Sequence, residues 1–139
     1  WDTRSLTPAA YTLRAYAYDT LGNWTQTEIT VNVGVSASSM KVTSITLSGN
    51  VIRGRANITG YVYVKDAAGK AVQNATVAIR WTLPGGSTRS MTATTNSLGR
   101  AGFSGSGTRG TYTLTVTNVT KSGYTFDAAG SILSKSITK

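Results

Sequence analysis

Apolar and polar side chains alternate with a period of two along most of this chain, and a helical spacing of apolar residues is nearly absent. The alternation is clearest in residues 75–83, and it recurs in residues 58–65 and 111–117. The side chains expected on the inner face are Val77, Ile79, Trp81 and Leu83, then Ile58, Gly60, Val62 and Val64, then Tyr112, Leu114 and Val116. Because successive side chains of a strand point to opposite faces, the pattern predicts antiparallel strands with one buried and one wet face.

Glycine-containing turn sequences separate the alternating stretches. Asp66 and Asn96 each stand three residues before a glycine that can adopt a positive φ, and Pro84 precedes two glycines. We predict strands near residues 42–48, 51–55, 57–65, 75–83, 88–95, 100–105, 111–119 and 131–138. Short strands with such frequent turns are typical of an all-β, two-sheet sandwich, and Trp81 is large enough to be its central packing residue. The 24 Thr and 15 Ser suit strands whose outer face is β-branched and polar.

Residues 1–34 carry two further alternating stretches around a turn at residues 19–23. The alternating apolar residues are Tyr11, Leu13, Ala15 and Ala17 before the turn, and Ile29, Val31 and Val33 after it. A lone β-hairpin is marginal in water, so we expect the last two strands of a preceding domain, whose other strands lie upstream, in a partner or on the second domain. The predicted organisation is a truncated domain at 1–34, a small and polar linker at 35–41 and a sandwich domain at 42–139.

The reactive side chains that most enzymes need are scarce. The chain has no His and no Cys, which excludes Ser–His–Asp triads, Cys–His pairs and ordinary zinc sites. Two of its five carboxylates, Asp66 and Asp127, are candidates for calcium, yet each also suits an ordinary turn role. We therefore expect no enzyme activity, no cofactor, no catalytic residue and no metal site.

Basic residues outnumber acidic ones by 14 to 5, which gives a formal net charge of +9. The basic residues are scattered, which favours a role in solubility and in protecting sheet edges over attraction to a polyanion. We do not expect a nucleic-acid partner, because basic runs are missing. No apolar stretch is long enough to predict a membrane span. No signal-peptide pattern is present, and the chain starts at Trp1 partway through a sequence pattern. We therefore expect a mature or cleaved product.

Two sets of motifs resemble bacterial immunoglobulin-like or fibronectin-like accessory domains. The first set comprises Trp1-Asp2-Thr3, Tyr11-Thr12-Leu13, Ala17-x-Asp19-x-x-Gly22-Asn23 and Val31-x-Val33. The second comprises Val62-x-Val64-x-Asp66-x-x-Gly69-x-x-Val72-x-x-Ala75-x-Val77, Trp81, Pro84-x-Gly86, Thr94-x-x-x-x-Gly99-x-Ala101-x-Phe103, Gly110-x-Tyr112-x-Leu114-x-Val116 and Asn118-Val119-Thr120-x-x-Gly123-Tyr124-x-Phe126-Asp127.

The resemblance implies an immunoglobulin-like β-sandwich preceded by a β-hairpin that ends a second immunoglobulin-like domain. Such modules are appended to secreted multidomain hydrolases, such as subtilisin-like proteases or glycosidases, and to surface proteins. It therefore implies a bacterial parent that is secreted, extracellular or at the cell surface. The family shares no catalytic residues that could be assigned to this chain.

Three functions remain open at this point. The first is a structural accessory module, a spacer or presentation domain whose partners are neighbouring domains of the same polypeptide. The second is a module that binds carbohydrate, or an anionic polymer of the cell surface, through exposed tyrosines and basic residues. Its candidate residues are Tyr16, Tyr18, Tyr61, Tyr63, Arg14 and Lys65. The third is a strand-sharing element of an extracellular filament.

Overall fold

The computed structural model describes residues 6–7, 9–33 and 38–139, and these residues form strands and turns without a helix. The chain divides into two compact units, Trp1–Ser36 and Ala37–Lys139. The prediction of an all-β chain is confirmed. None of the described residues belongs to a helix with the length and apolar character that a membrane crossing requires.

The first unit is a two-stranded antiparallel sheet of β1 (Ala9–Tyr18) and β2 (Trp24–Val33). The register runs from Ala9 opposite Val33 to Tyr18 opposite Trp24. Leu13 therefore stands across from Ile29 and shares one face with it. The motif at residues 1–3 lies outside the described residues.

The second unit contains eight strands in two four-stranded sheets. The strands are β3 (Ser38–Ile52), β4 (Arg55–Asp66), β5 (Thr76–Thr82), β6 (Thr88–Thr94), β7 (Arg100–Gly107), β8 (Thr111–Thr120), β9 (Tyr124–Phe126) and β10 (Ser134–Thr138). One sheet has the order β7-β4-β3-β9 and the other the order β10-β8-β5-β6. Neighbouring strands are antiparallel except for β3 and β9, which are parallel.

Buried side chains from both sheets form one common core, which makes the second unit sandwich-like. The inner residues predicted for β4, β5 and β8 are buried, as the alternation requires, except Leu83, which is only half-buried and follows the end of β5. Trp81 is fully buried in this core, which confirms its predicted packing role. Its Nε1 has no hydrogen-bond partner among the described residues, and the indole ring lies close to the backbone of Gly105.

Hydroxyl side chains line the outer face of the second sheet, as the Thr and Ser content predicted. Thr111 and Thr138 pair across β8 and β10 at 2.9 Å, and Thr113 and Ser136 pair at 2.8 Å. These cross-strand pairs satisfy the hydroxyls on a solvent-facing sheet surface.

Three turns of the chain share one geometry. In each, an Asp or Asn side chain accepts a hydrogen bond from the backbone N–H four residues later, and a glycine with positive φ stands between them. The turns are Asp19–Asn23 with Gly22 at φ +86°, Asp66–Lys70 with Gly69 at +82°, and Asn96–Arg100 with Gly99 at +69°. The two turns predicted in the second unit are therefore confirmed.

The predicted division of residues 42–65 into three strands is wrong. β3 continues to Ile52 and pairs with β4 along its length, with a bulge between Val42 and Ser44. The connecting turn is only Arg53-Gly54, both with positive φ, which suits a two-residue hairpin. Arg53-Gly54 is not a strong turn signal in the sequence, because Arg rarely adopts this conformation.

The predicted linker at 35–41 also needs correction. Residues 38–41 begin β3, and Met40 is buried with 1% exposure, while residues 35–37 lie outside the described residues. Met40 was not predicted to be buried, because its neighbours in the sequence are polar. In addition, β3 pairs here with β9, a three-residue strand that was not predicted. The last strand starts at Ser134 instead of residue 131.

Candidate functional site

The six residues predicted to form a binding surface divide between the two units. Arg14, Tyr16 and Tyr18 lie on β1, whereas Tyr61, Tyr63 and Lys65 lie on β4. Each unit therefore carries its own candidate surface.

Tyr16, Tyr18 and Trp24 form an exposed aromatic patch on one face of the first unit. The register places Trp24 directly opposite Tyr18, and the ring centroids of Tyr16 and Trp24 lie 5.9 Å apart with their planes tilted by 52°. The three side chains are 49%, 72% and 59% exposed, respectively. Trp24 was missing from the sequence prediction, although a hairpin centred on the turn at residues 19–23 would have placed it there.

Arg14 lies on the same face but is engaged by an acidic partner. It stands across from Glu28 in the register, and its guanidinium forms an ion pair with the Glu28 carboxylate. Both side chains are largely exposed, so the pair contributes only about 0–1 kcal/mol. The pair nevertheless offsets the positive charge that a binding role for Arg14 would use.

A shallow groove beside the aromatic patch has polar residues in its wall. It is lined by Ala17, Tyr18, Asp19, Asn23, Trp24 and Thr25. The Asp19 carboxylate accepts hydrogen bonds from the Asn23 side chain at 2.8 Å and from the backbone N–H groups of Asn23 and Leu21 at 2.9 and 2.8 Å. These bonds, led by the one from the Asn23 side chain, lower the pKa of Asp19 below its ordinary value. The carboxylate therefore stabilises the turn.

Tyr61 packs against its own sheet. The Arg100 guanidinium lies 4.5 Å from the centroid of the Tyr61 ring, in a cation–π contact. Gly102 stands opposite Tyr61 in the register, and a methyl group there would lie 3.2 Å from the ring. Tyr61 therefore has the geometry of cross-strand packing, the alternative to ligand binding for an outward tyrosine.

Tyr63 and Lys65 follow Tyr61 on the same outward face of β4. Tyr63 is half-buried and stands across from Arg100, while Lys65 is exposed and stands across from Lys41. Two like charges directly opposite on neighbouring strands disfavour the pairing slightly. This surface therefore combines one packed tyrosine with two neighbouring basic side chains, Lys41 and Lys65.

Positive charge is concentrated in the second unit. Residues 38–139 contain twelve Lys and Arg against two Asp, a net side-chain charge of +10. No ion pair forms between residues of this range. Asp66 accepts a backbone hydrogen bond from Lys70 at 2.9 Å, and Asp127 accepts one from Gly130 at 2.9 Å. The two carboxylates thus take the turn roles predicted for them.

Among the described residues, no three His, Cys, Asp or Glu side chains gather in a group that could hold a metal ion. Comparisons with protein-family models, with curated protein sequences and with solved structures give no match to this chain.

Proposed function

We propose that this chain is a non-catalytic structural module, a spacer or presentation domain of a larger secreted or cell-surface bacterial protein. Its rigid body is an immunoglobulin-like sandwich, and the preceding hairpin is the C-terminal end of a second immunoglobulin-like domain. Its partners are the neighbouring domains of the same polypeptide.

Two features of the second unit support the immunoglobulin-like assignment. In such domains the second strand lies between the first and the fifth, and the sixth lies between the third and the last. Here β4 lies between β3 and β7, and β8 lies between β5 and β10. In addition, the Tyr112 hydroxyl donates a hydrogen bond of 2.7 Å to the carbonyl oxygen of Thr108, the arrangement known as a tyrosine corner.

The spacer role is supported by hydrogen bonds that join the first strand of the second unit to the segment before its last strand. The N–H of Ser38 donates to the carbonyl of Gly123 at 3.0 Å, and the N–H of Ile132 donates to the carbonyl of Val42 at 2.9 Å. Between them, β3 and β9 pair in parallel.

Because β3 and β9 run in parallel, a force that separates Ser38 from Lys139 acts along these strands. It loads several cross-strand hydrogen bonds in shear together, instead of opening them one at a time. The Ser131 hydroxyl reinforces the junction, accepting from the Val42 N–H at 2.9 Å and donating to the Asp127 carbonyl at 2.6 Å. A module that keeps its neighbours apart needs this kind of resistance.

The strand lengths set the spacing that such a module provides. β8 contains ten residues, and a strand rises about 3.3 Å per residue, so it spans roughly 33 Å. One sandwich would therefore hold its two neighbours apart by a distance of this order.

Single-molecule force spectroscopy tests the spacer function. With the full chain held between two folded handle proteins, we expect the second unit to unfold in one cooperative event. The length gained is on the order of 300 Å, since each extended residue contributes about 3.3–3.6 Å. Steady extension without an unfolding peak would contradict the proposal.

A pair of serine variants makes the force experiment specific. Ser131→Ala removes both hydroxyl bonds at the junction and should lower the unfolding force. Ser134→Ala is the matched control, because its hydroxyl makes only a long, exposed contact of 3.4 Å with Thr115. Equal unfolding forces for the two variants would show that the junction does not bear the load.

The aromatic patch favours carbohydrate binding as a second candidate function. Exposed aromatic rings can stack on sugar rings, and the excess of basic residues would attract an anionic cell-surface polymer in a salt-dependent way. Pull-down with insoluble polysaccharides and with an anionic wall polymer tests this candidate. Binding that is lost in Tyr18→Ala and Trp24→Ala, but retained in the same-face control Thr30→Ala, would support it. If none of these polymers retains the protein, carbohydrate binding is contradicted and only the spacer function remains.

A further inference from the structure

β1 and β8 share both a sequence and a hydrogen bond. The residues Tyr11-Thr12-Leu13 in β1 repeat as Tyr112-Thr113-Leu114 in β8, and a threonine stands four positions before each tyrosine. The Tyr11 hydroxyl donates to the carbonyl oxygen of Thr7 at 3.0 Å, as the Tyr112 hydroxyl does to that of Thr108 at 2.7 Å. The tyrosine corner thus occurs in both units.

The strand partners of β1 and β8 also correspond. β1 pairs antiparallel with β2, the last strand of the first unit, and β8 pairs antiparallel with β10, the last strand of the second. β1 and β2 are therefore the counterparts of β8 and β10.

The two pairs differ in how far their apolar faces are buried. In the second unit Tyr112 and Leu114 are fully buried beneath the opposite sheet. A methyl group on Gly107 of β7 would lie 2.9 Å from the Tyr112 hydroxyl, and one on Gly60 of β4 would lie 2.8 Å from Leu114. In the first unit Leu13 is only half-buried, and Ile29 across from it is 59% exposed.

We propose that the face of β1 and β2 bearing Tyr11, Leu13 and Ile29 is the inner face of a second sandwich, covered by a sheet of strands that precede β1 in the same polypeptide. This inference rests on the proposed function, since it specifies the neighbouring domain to which the hairpin belongs. It identifies an interaction surface, and a sheet with alternating apolar side chains as its partner.

The position of the covering strands follows from the counterpart pair. In the second unit the opposite sheet consists of β7, β4, β3 and β9, and all of these except the three-residue β9 come before β8 in the chain. Only four residues separate β2 from β3, too few for another strand pair. The strands that follow β2 form the core of the second unit. The strands that cover β1 and β2 therefore come from the region upstream of β1.

Hydrogen exchange measured by mass spectrometry tests the inference. The 139-residue chain is compared with the naturally encoded polypeptide extended upstream of Trp1 by a stretch as long as Ser38–Gly107. We expect the β1 and β2 amides to exchange roughly 100-fold or more slowly in the extended protein, because burying each large apolar side chain slows local opening about tenfold or more. Equal exchange in the two proteins would overturn the inference.

Two variants of the extended protein sharpen the result. Ile29→Asn should abolish the added protection, whereas Thr30→Asn, on the opposite face of β2, should retain it. Loss in both variants, or in neither, would overturn the assignment of the inner face. Protection that arises in the 139-residue chain at high concentration, together with dimers, would instead identify a second copy as the partner and refute the upstream strands. The force experiment concerns the second unit, so failure of this inference and failure of the spacer function are distinguishable.

Discussion

Replacing Gly99 by alanine should destabilise the second unit far more than the same replacement at Gly69. Both glycines occupy the same position in turns of the same geometry, with φ of +69° and +82°. A methyl group at Gly69 would meet nothing within 4 Å. One at Gly99 would clash with the carbonyl oxygen of Val64 and lie 3.2 Å from the backbone nitrogen of Val72.

The two substitutions share one cost and differ in another. Placing alanine in a left-handed conformation costs about 1–2 kcal/mol at either position. At Gly99 the obstacle is backbone, which cannot rotate away as a side chain can. The Val64 carbonyl also accepts a hydrogen bond of 3.1 Å from Val72, and the Val64 N–H donates one of 2.8 Å to Gly99. Overpacking of this kind adds about 1–3 kcal/mol, so we expect about 1–2 kcal/mol for Gly69→Ala and about 2–5 kcal/mol for Gly99→Ala.

Urea denaturation followed by circular dichroism measures the difference. For a unit of this size each kcal/mol also lowers the melting temperature by about 4–8 °C. The denaturant dependence should stay unchanged in both variants, so that the shift in midpoint reports stability. If Gly99→Ala were no less stable than Gly69→Ala, the close approach to Val64 would not constrain the turn.

Three further changes test other contacts. Thr95→Val removes the buried hydroxyl that accepts a hydrogen bond from the Ala75 N–H at 2.8 Å. The unpaired amide should lower the free energy of unfolding by about 1–3 kcal/mol in the same denaturation assay. Unchanged stability would mean that the amide finds another partner. Tyr112→Phe removes the bond to Thr108 and should cost about 0.5–1.5 kcal/mol, and wild-type stability would show that the corner is dispensable. Because its hydrogen bonds lower the pKa of Asp19, this carboxylate stabilises the first turn fully above its unfolded pKa of about 3.9, and the contribution disappears as the pH falls through the lower folded pKa. Amide chemical shifts of the turn should report this loss below pH 4, and Asp19→Asn should abolish the pH dependence; an unchanged titration in Asp19→Asn would refute this role.

The turns and the inner faces of β4, β5 and β8 could be predicted because their signals are local. Alternation around Trp81 and Tyr112 assigns each side chain to a face whichever strand lies alongside. The spacing from Asp66 to Gly69 likewise specifies a turn by itself. The Thr95 hydroxyl gave no such signal, because its partners, Ala75 and Val72, lie on another segment of the chain.

The candidate surfaces likewise combine features that the sequence predicts with features that it does not. The sequence correctly placed Tyr16 and Tyr18 on an exposed face, since both follow from one alternating strand. It did not reveal that Trp24 joins them or that Arg14 is paired with Glu28, because both facts depend on the register of β1 with β2.

By itself, the sequence determined that this chain folds as β-strands, which residues of most strands point inward, and that few of its side chains suit catalysis. Only the tertiary structure decided that β3 is one long strand, that β9 pairs with it in parallel, and which aromatic and charged side chains meet. The physical reason is that the side-chain period of a strand is encoded in neighbouring residues, whereas pairing depends on hydrogen bonds between segments that are distant in the chain.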